Sequence, residues 1–220
     1  MTTIGLVVEG TNDFPAIEAF LEEVLPQEVA RPLIFHMIQP GVDETTGRFG
    51  DGGWGRVVGW CKENSGEGVR TYFEPVFEGD KVCDFIVIQI DGDAVYDCLK
   101  HSNAEPIPAN ADVETRTKTL QYMIDGWLSA PEDLRGRFGH ALPHLQTEAW
   151  IMAGLHPTQE PWESTPAKHL LWALKAGTGI KELPEFYRHT SKQAAMNCVA
   201  VAEQCISFQI FQQSVGKMVA

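Results

Sequence analysis

Two strongly apolar runs in this chain each end on an acidic residue, and this pattern restricts the fold more than any other feature. The first run is IGLVV at residues 4–8, followed by Glu9; the second is FIVIQI at 85–90, followed by Asp91. Continuous runs rich in Val and Ile are typical of strands buried on both faces of a parallel sheet. Open parallel sheets bind ligands beyond the carboxyl ends of their strands. We therefore expect a parallel sheet with carboxylates at its ligand-binding edge.

Helical patterns alternate with the strand patterns in the first half of the chain. Asn12 or Asp13 can cap a helix whose apolar residues recur every three or four positions until Pro26. A second strand is expected at 33–38 and a short helix at 54–62. Strands that alternate with helices predict an α/β fold with a parallel, Rossmann-type sheet flanked by helices.

The second half of the chain is predicted to be mostly helical. Helices are expected over an apolar stripe at 120–128, from Thr147 in TEAWIMAGL, and from Ser191 onwards. The last helix is expected to carry six residues on one apolar stripe: Ala195, Cys198, Val199, Ala202, Cys205 and Ile206. Three tryptophans on helical stripes are predicted to be core residues: Trp127, Trp150 and Trp172.

The remaining stretches do not divide the chain into separate units. A proline in TYFEPVF at 71–77 allows at most an edge strand, and the Gly-rich stretch at 41–55 is predicted as a long surface loop. No internal repeat or linker is present. We therefore predict a single domain, with an α/β core over 1–103 that helices over 104–220 complete.

Composition indicates a globular cytoplasmic protein. Hydrophobic residues make up 44% and charged residues 21% of the chain, which is typical of packed domains. No apolar stretch approaches the length of a membrane span, and MTTIGLVVEG lacks the basic region of a signal peptide, so no membrane association is expected. The five cysteines include no CxxC pair, which favours free thiols in a reducing compartment over a zinc site.

The net charge of −13 opposes a broad electrostatic attraction to nucleic acid. Such attraction requires clustered Lys and Arg that displace the counterions of the phosphates. A local basic patch or a contact made through a metal ion remains compatible with this charge.

Three acids are expected to meet at the sheet edge: Glu9, Asp91 and Asp93. Carboxylates held close together repel one another and lose their protons with difficulty. A hard divalent cation removes this conflict, because Mg²⁺ prefers oxygen ligands and often combines one or two carboxylates with phosphate. Each acid alone is equally compatible with a helix cap or a solvated turn. The three together favour a metal-dependent phosphoryl-transfer site.

These segments resemble a known family. VVEGTND at 7–13, followed by a helix, and IVIQIDGD at 86–93 resemble the Toprim domain of topoisomerases, primases and OLD-type nucleases, which pairs a Glu after its first strand with a later DxD. QTEAWIMAG at 146–154 resembles the E-x-W helix of small stand-alone Toprim-like proteins related to OLD nucleases. The segment at 185–211 resembles their tail, a Tyr-containing loop with a basic residue before a helix.

The resemblance implies a role for each matching acid. Glu9 would be a metal ligand or the general base that activates the attacking water. Asp91 and Asp93 would hold one or two Mg²⁺ or Mn²⁺ ions, Asp13 would add a ligand, and Glu148 would complete the second metal site. Two such ions lie about 3.5–4 Å apart and stabilise the attacking and leaving oxygens.

The resemblance also implies a cationic residue that offsets charge on the scissile phosphate, and Lys192 is assigned to this role. The family tail places a lysine two residues after its tyrosine, but this chain has His189 there, beside Arg188. The role is therefore open among Arg188, His189 and Lys192.

The function implied by the resemblance is a metal-dependent nuclease that cleaves DNA or RNA. OLD-type relatives commonly work with an ATPase domain, and this sequence contains no GK[ST] P-loop. Together with the acidic charge, this implies an ATPase partner or a homo-oligomer that contributes to nucleic-acid binding, as in an effector subunit of bacterial defence against phage.

Two alternatives remain from the sequence. IDGDAV also fits the D-x-D-x-[TV] signature of haloacid-dehalogenase-like phosphatases, with Asp91 as nucleophile and Asp93 as acid–base. That strand usually comes first in such folds, and Glu9 would then have no role. The second alternative is a Toprim-shaped interaction module without catalysis.

Overall fold

The computed structural model describes residues 1–26, 29–41, 50, 52–75, 77, 82–158 and 161–219. Within them, the strands are β1 (Thr2–Val7), β2 (Leu33–Gln39), β3 (Phe85–Gln89) and β4 (Phe138–Ala141). The helices are α1 (Asp13–Val24), α2 (Trp54–Glu63), α3 (Val95–Leu99), α4 (Val113–Leu128), α5 (Glu132–Arg135), α6 (Glu148–Leu155), α7 (Ala167–Thr178), α8 (Leu183–Ala195), α9 (Cys198–Gln204) and α10 (Ile206–Met218). Short 3-10 helices span Gly66–Tyr72, Gly92–Ala94 and Trp162–Ser164.

The strands form one parallel sheet in the order β2-β1-β3-β4, which confirms the predicted α/β fold. The central pair is β1 and β3, and Val7 lies opposite Ile88 in their register. Both central strands are almost entirely buried, which is why their sequences are continuously apolar. Their carboxyl ends therefore lie side by side, and the residues that follow them begin at the same level.

Two hydrophobic layers enclose the sheet. Ile4 and Leu6 of β1 pack with α1, α6, α8 and α10, while Val7 packs on the opposite face with α2, α3 and α4. Trp150 is fully buried in the first layer, stacked on Phe211 and in edge contact with Phe20. All five cysteines are free thiols, as expected.

The irregular segments and the last predicted helix differ from the rest of the fold in how the sequence described them. Residues 71–75 include the end of a 3-10 helix and no strand, so the edge strand that the sequence still allowed does not form there, while Val76 and most of the predicted loop at 41–55 lie outside the described residues. The predicted final helix is divided among α8, α9 and α10, because the chain leaves the helical conformation at Asn197 and again at Cys205, which is extended. Of the predicted stripe, Ala195 and Cys205 are buried, whereas Val199 and Ile206 are exposed.

The buried carboxylate of Glu163 caps the amino terminus of α10. It accepts hydrogen bonds from the backbone N–H of Ile206 (2.9 Å) and of Ser207 (2.8 Å), and from the Ser207 hydroxyl. Glu163→Ala would leave these donors buried and unpaired, so we expect it to lower the free energy of unfolding by about 3 kcal/mol. Glu163→Gln, which keeps an acceptor, should lose less. Urea denaturation measures both, and an alanine variant as stable as the wild type would contradict this assignment.

Candidate metal centre

Glu9 and Asp91 are hydrogen-bonded to each other where β1 and β3 end. The backbone N–H of Asp91 donates to Glu9 Oε1 at 2.7 Å, and the backbone N–H of Glu9 donates to Gln89 Oε1 at 2.9 Å. The amide of Gln89, which is fully buried, donates in turn to Asp91 Oδ1 at 2.8 Å. These contacts continue the pairing of the two strands beyond the sheet. Gln89 therefore orients both acids, a role that an apolar strand pattern does not reveal.

A single three-residue segment, Gln146 to Glu148, reaches the other acids of the cluster. Thr147 donates to Asp91 Oδ1 from its backbone N–H and its hydroxyl, each at 3.2 Å, and it lies close enough to Asp13 to offset part of the rise in the pKa of that carboxyl. Gln146 has the same effect on the pKa of Asp93. Glu148 begins α6 and is buried. The amino end of α6 is thereby held against the ends of β1 and β3.

The acids raise one another's pKa values. Burial is the largest cause; it raises the pKa of Glu9 to about 8 and that of Asp13 to about 7. Repulsion adds to this effect, from Asp13 and Asp93 on Glu9 and from Glu148 on Asp13. Asp91 has its pKa raised well above the ordinary value by burial and by the four other acids, and burial also raises the pKa of Asp93. The five carboxylates therefore form one interacting group.

The donor chemistry of this group fits Mg²⁺ or Mn²⁺, because every member is a carboxylate. In the part of the chain that the structure describes, no three His, Cys, Asp or Glu side chains are arranged so that they could hold a metal ion as they stand. Glu9 Oε1 and Asp91 Oδ1 are occupied by protein N–H and O–H donors, so a cation would have to draw in the other carboxylate oxygens. A cation that drew these oxygens together would relieve the repulsion among the carboxylates.

Lys168, at the start of α7, is a cationic side chain beside this cluster. Its Nζ lies 3.7 Å from Glu148 Oε1, and its charge lowers the pKa values of Glu9, Asp13 and Asp93. The sequence offered no indication of this position, because α7 approaches the site only through tertiary packing on α6.

A second neighbour of Glu148 is Tyr187, which the sequence placed in a loop but which lies on α8. Its buried hydroxyl donates to Glu148 Oε1, and Trp172 Nε1 donates to Tyr187 Oη at 3.4 Å. Burial and the Glu148 charge raise the pKa of Tyr187, so it remains a neutral donor. Glu148 is thereby held between a lysine and a tyrosine.

The residues assigned from the tail resemblance lie elsewhere on α8. Arg188 and Lys192 act on Glu18 of α1, whose pKa they lower against the larger effect of burial. His189 lines the same shallow cavity as these two residues. The structure thus brings the five predicted acids together and places Lys192 against Glu18.

At Gly92, which separates Asp91 from Asp93, another part of the chain occupies the space that a side chain would need. The Gly92 N–H donates to Pro143 O at 2.8 Å, and a Cβ on Gly92 would lie 2.1 Å from His144 O. The backbone of Gly53 also lies close to the acidic cluster, since its N–H donates to Glu9 O at 2.7 Å. These glycines therefore position the backbone around the acids.

No helix within the described residues is both long and apolar enough to cross a membrane. Comparisons of the chain with protein-family models, with curated proteins and with solved structures gave no match. What the protein does must therefore be inferred from the side chains gathered at the ends of β1 and β3 and at the start of α6.

Proposed function

We propose that the protein is a Mg²⁺- or Mn²⁺-dependent nuclease of the Toprim/OLD type that hydrolyses phosphodiesters of DNA or RNA. The observation that supports this proposal is the hydrogen bond between Glu9 and Asp91 at adjacent strand ends. Three further carboxylates lie close enough to raise the pKa values of this pair. A cluster of this charge is unfavourable without a cation.

In the proposed reaction, the bound ions supply Lewis acidity and lower the pKa of the attacking water. Asp91, Asp93 and Glu148 would hold the ions. Glu9, which lies at the end of β1 beside Asp91, would accept the proton of the attacking water once a bound cation keeps its carboxylate ionised. Lys168 takes the role first assigned to Lys192, because it lies beside the acids and can offset charge on the scissile phosphate.

Lys168→Gln should separate metal binding from turnover. Removing the positive charge beside Glu148 reduces repulsion of a divalent cation, so Mn²⁺ should bind a few-fold more tightly. Cleavage should nevertheless slow by about 10²-fold, because a cation that stabilises transition-state charge is lost. Isothermal titration and initial rates measure the two effects. Lys192→Gln is the matched control, and an equal loss in both variants would contradict the role of Lys168.

A screen of wild-type protein against single- and double-stranded DNA and RNA, with each divalent metal in turn, tests the proposed function. Asp91→Asn is the matched inactive variant. Turnover of a small phosphomonoester with a trapped aspartyl-phosphate at Asp91 would instead indicate the phosphatase chemistry of a haloacid-dehalogenase-like site. No cleavage, together with a melting temperature unaffected by Mg²⁺ and Mn²⁺, would indicate a non-catalytic module.

The net charge of −13 supports a further part of the proposal, namely that an ATPase partner or a second copy contributes to binding nucleic acid. An effector subunit of anti-phage defence would have this organisation. Efficient cleavage by the isolated monomer at physiological salt, with its mass checked by light scattering, would contradict this need for a partner.

A further inference from the structure

Three side chains on α7 form a row that begins at the acidic cluster. Lys168, Trp172 and Lys175 are four and three residues apart, so they lie on one face of the helix. Lys168 is beside Glu148, and Trp172 reaches Tyr187. Lys175 Nζ donates to the backbone carbonyl of Lys181 at 2.7 Å. Because a carbonyl is uncharged, this contact does not neutralise the positive charge of Lys175. At 1.5 Å per residue, the row is about 10 Å long.

Trp172 is half exposed, although its helical stripe predicted a core residue. The core contacts of α7 are made by Ala167 and Leu171 instead, which leaves one flank of the indole open to solvent. Its N–H is directed to Tyr187, which fixes the ring in the row. An exposed, oriented aromatic ring next to lysines is the arrangement on which unpaired bases stack.

The charge distribution favours an anionic occupant of this face. The helix α7 (Ala167–Thr178) contains two Lys and no Asp or Glu, whereas the chain as a whole has 17 Lys and Arg against 30 Asp and Glu. This helix therefore carries positive charge without acidic residues of its own. A protein partner with an apolar surface would not require this positive charge.

We propose that α7 binds a single-stranded or locally unpaired nucleic acid, with a base stacked on Trp172 and backbone phosphates at Lys175 and Lys168. About three stacked nucleotides at 3.4 Å each match the length of the row. That the bound nucleic acid runs towards Glu148 rests on the proposed nuclease function. The binding of nucleic acid to α7 does not depend on that function. The substrate class is therefore a strand with unpaired bases rather than an intact duplex.

Fluorescence anisotropy with an oligo(dT) of about 12 nucleotides tests this inference, since site sizes of this order are typical of single-strand binding. Asp91→Asn protein with Mg²⁺ serves as the parent, so that no cleavage occurs during the titration. Trp172→Ala should weaken binding about 10-fold or more, and Trp172→Phe, which keeps the stacking face but not the N–H, should recover most of it. Lys175→Gln should reduce the salt dependence by about one phosphate contact.

Tyr122→Ala is the matched control, because Tyr122 is a more exposed aromatic residue on α4. Equal affinity of the Trp172→Ala variant and its parent, no binding of oligo(dT), or tighter binding of a matched duplex would each overturn the inference. Oligo(dT) binding that depends on Trp172 supports it even if the wild-type protein cleaves no nucleic acid. Cleavage that is accompanied by Trp172-independent binding would overturn this inference and leave the nuclease proposal intact.

Discussion

Asp91→Asn is expected to abolish metal-dependent cleavage and, at the same time, to stabilise the metal-free protein. Asn keeps an oxygen that can accept from Thr147 and Gln89, so the local hydrogen bonds are retained. It removes the carboxylate on which all four other acids of the cluster act. Loss of a metal ligand should lower the cleavage rate by at least about 10³-fold, which corresponds to several kcal/mol of transition-state stabilisation.

The stabilising effect should be visible as a higher melting temperature in EDTA at pH 8. In a chain of this size, each kcal/mol corresponds to about 2–4 °C. Asp97→Asn is the control, because it makes the same chemical change at an exposed acid on α3 that pairs with Lys100. Unaltered stability together with wild-type cleavage in Asp91→Asn protein would remove the basis for a metal site at residues 9, 91 and 93.

Metal-free protein is expected to lose stability as the pH rises from 6.5 to about 8. The pKa of Asp13 is raised from 3.8 to about 7 and that of Glu9 from 4.5 to about 8. In this range the native state holds protons that the unfolded state has already released, so the free energy of unfolding falls with pH. A decrease of about 1–2 kcal/mol is expected, after a reduction for partial solvent exposure.

The lower limit of this pH window reduces an opposing contribution. Burial lowers the pKa of His144 below 6.5, so His144 increases stability with rising pH, an effect that fades within about one pH unit above 6.5. Urea denaturation in EDTA measures the slope above it, and Asp91→Asn should make the slope shallower. Added Mn²⁺ should restore stability at pH 8 more than at pH 6.5, because metal ions bind deprotonated carboxylates. Stability that rises across this window would contradict the coupling among the acids.

Local sequence patterns predicted the first half of the fold well. The bounds of β1, α1, β2, α2 and β3 were each predicted to within a few residues. Their signals are short-range, since continuous apolar runs, three-and-four spacing and a terminating proline all act within one element. The short strand β4 was missed, because four residues that include Gly139 and His140 have no strand pattern. It forms because β3 offers a free edge and α10 covers the outer side, with Ser214 accepting from the His140 N–H.

The order of acids along the chain by itself determined that carboxylates stand at the ends of β1 and β3, because strand polarity follows from sequence. Only the tertiary structure decided what surrounds them, including Gln89 and Thr147 as donors, Lys168 as the nearby cation and Trp172 as an exposed ring. The physical reason is that hydrogen bonds and ion pairs between residues distant in sequence depend on how α6, α7 and α8 pack against the sheet. No periodicity within a single element encodes that packing.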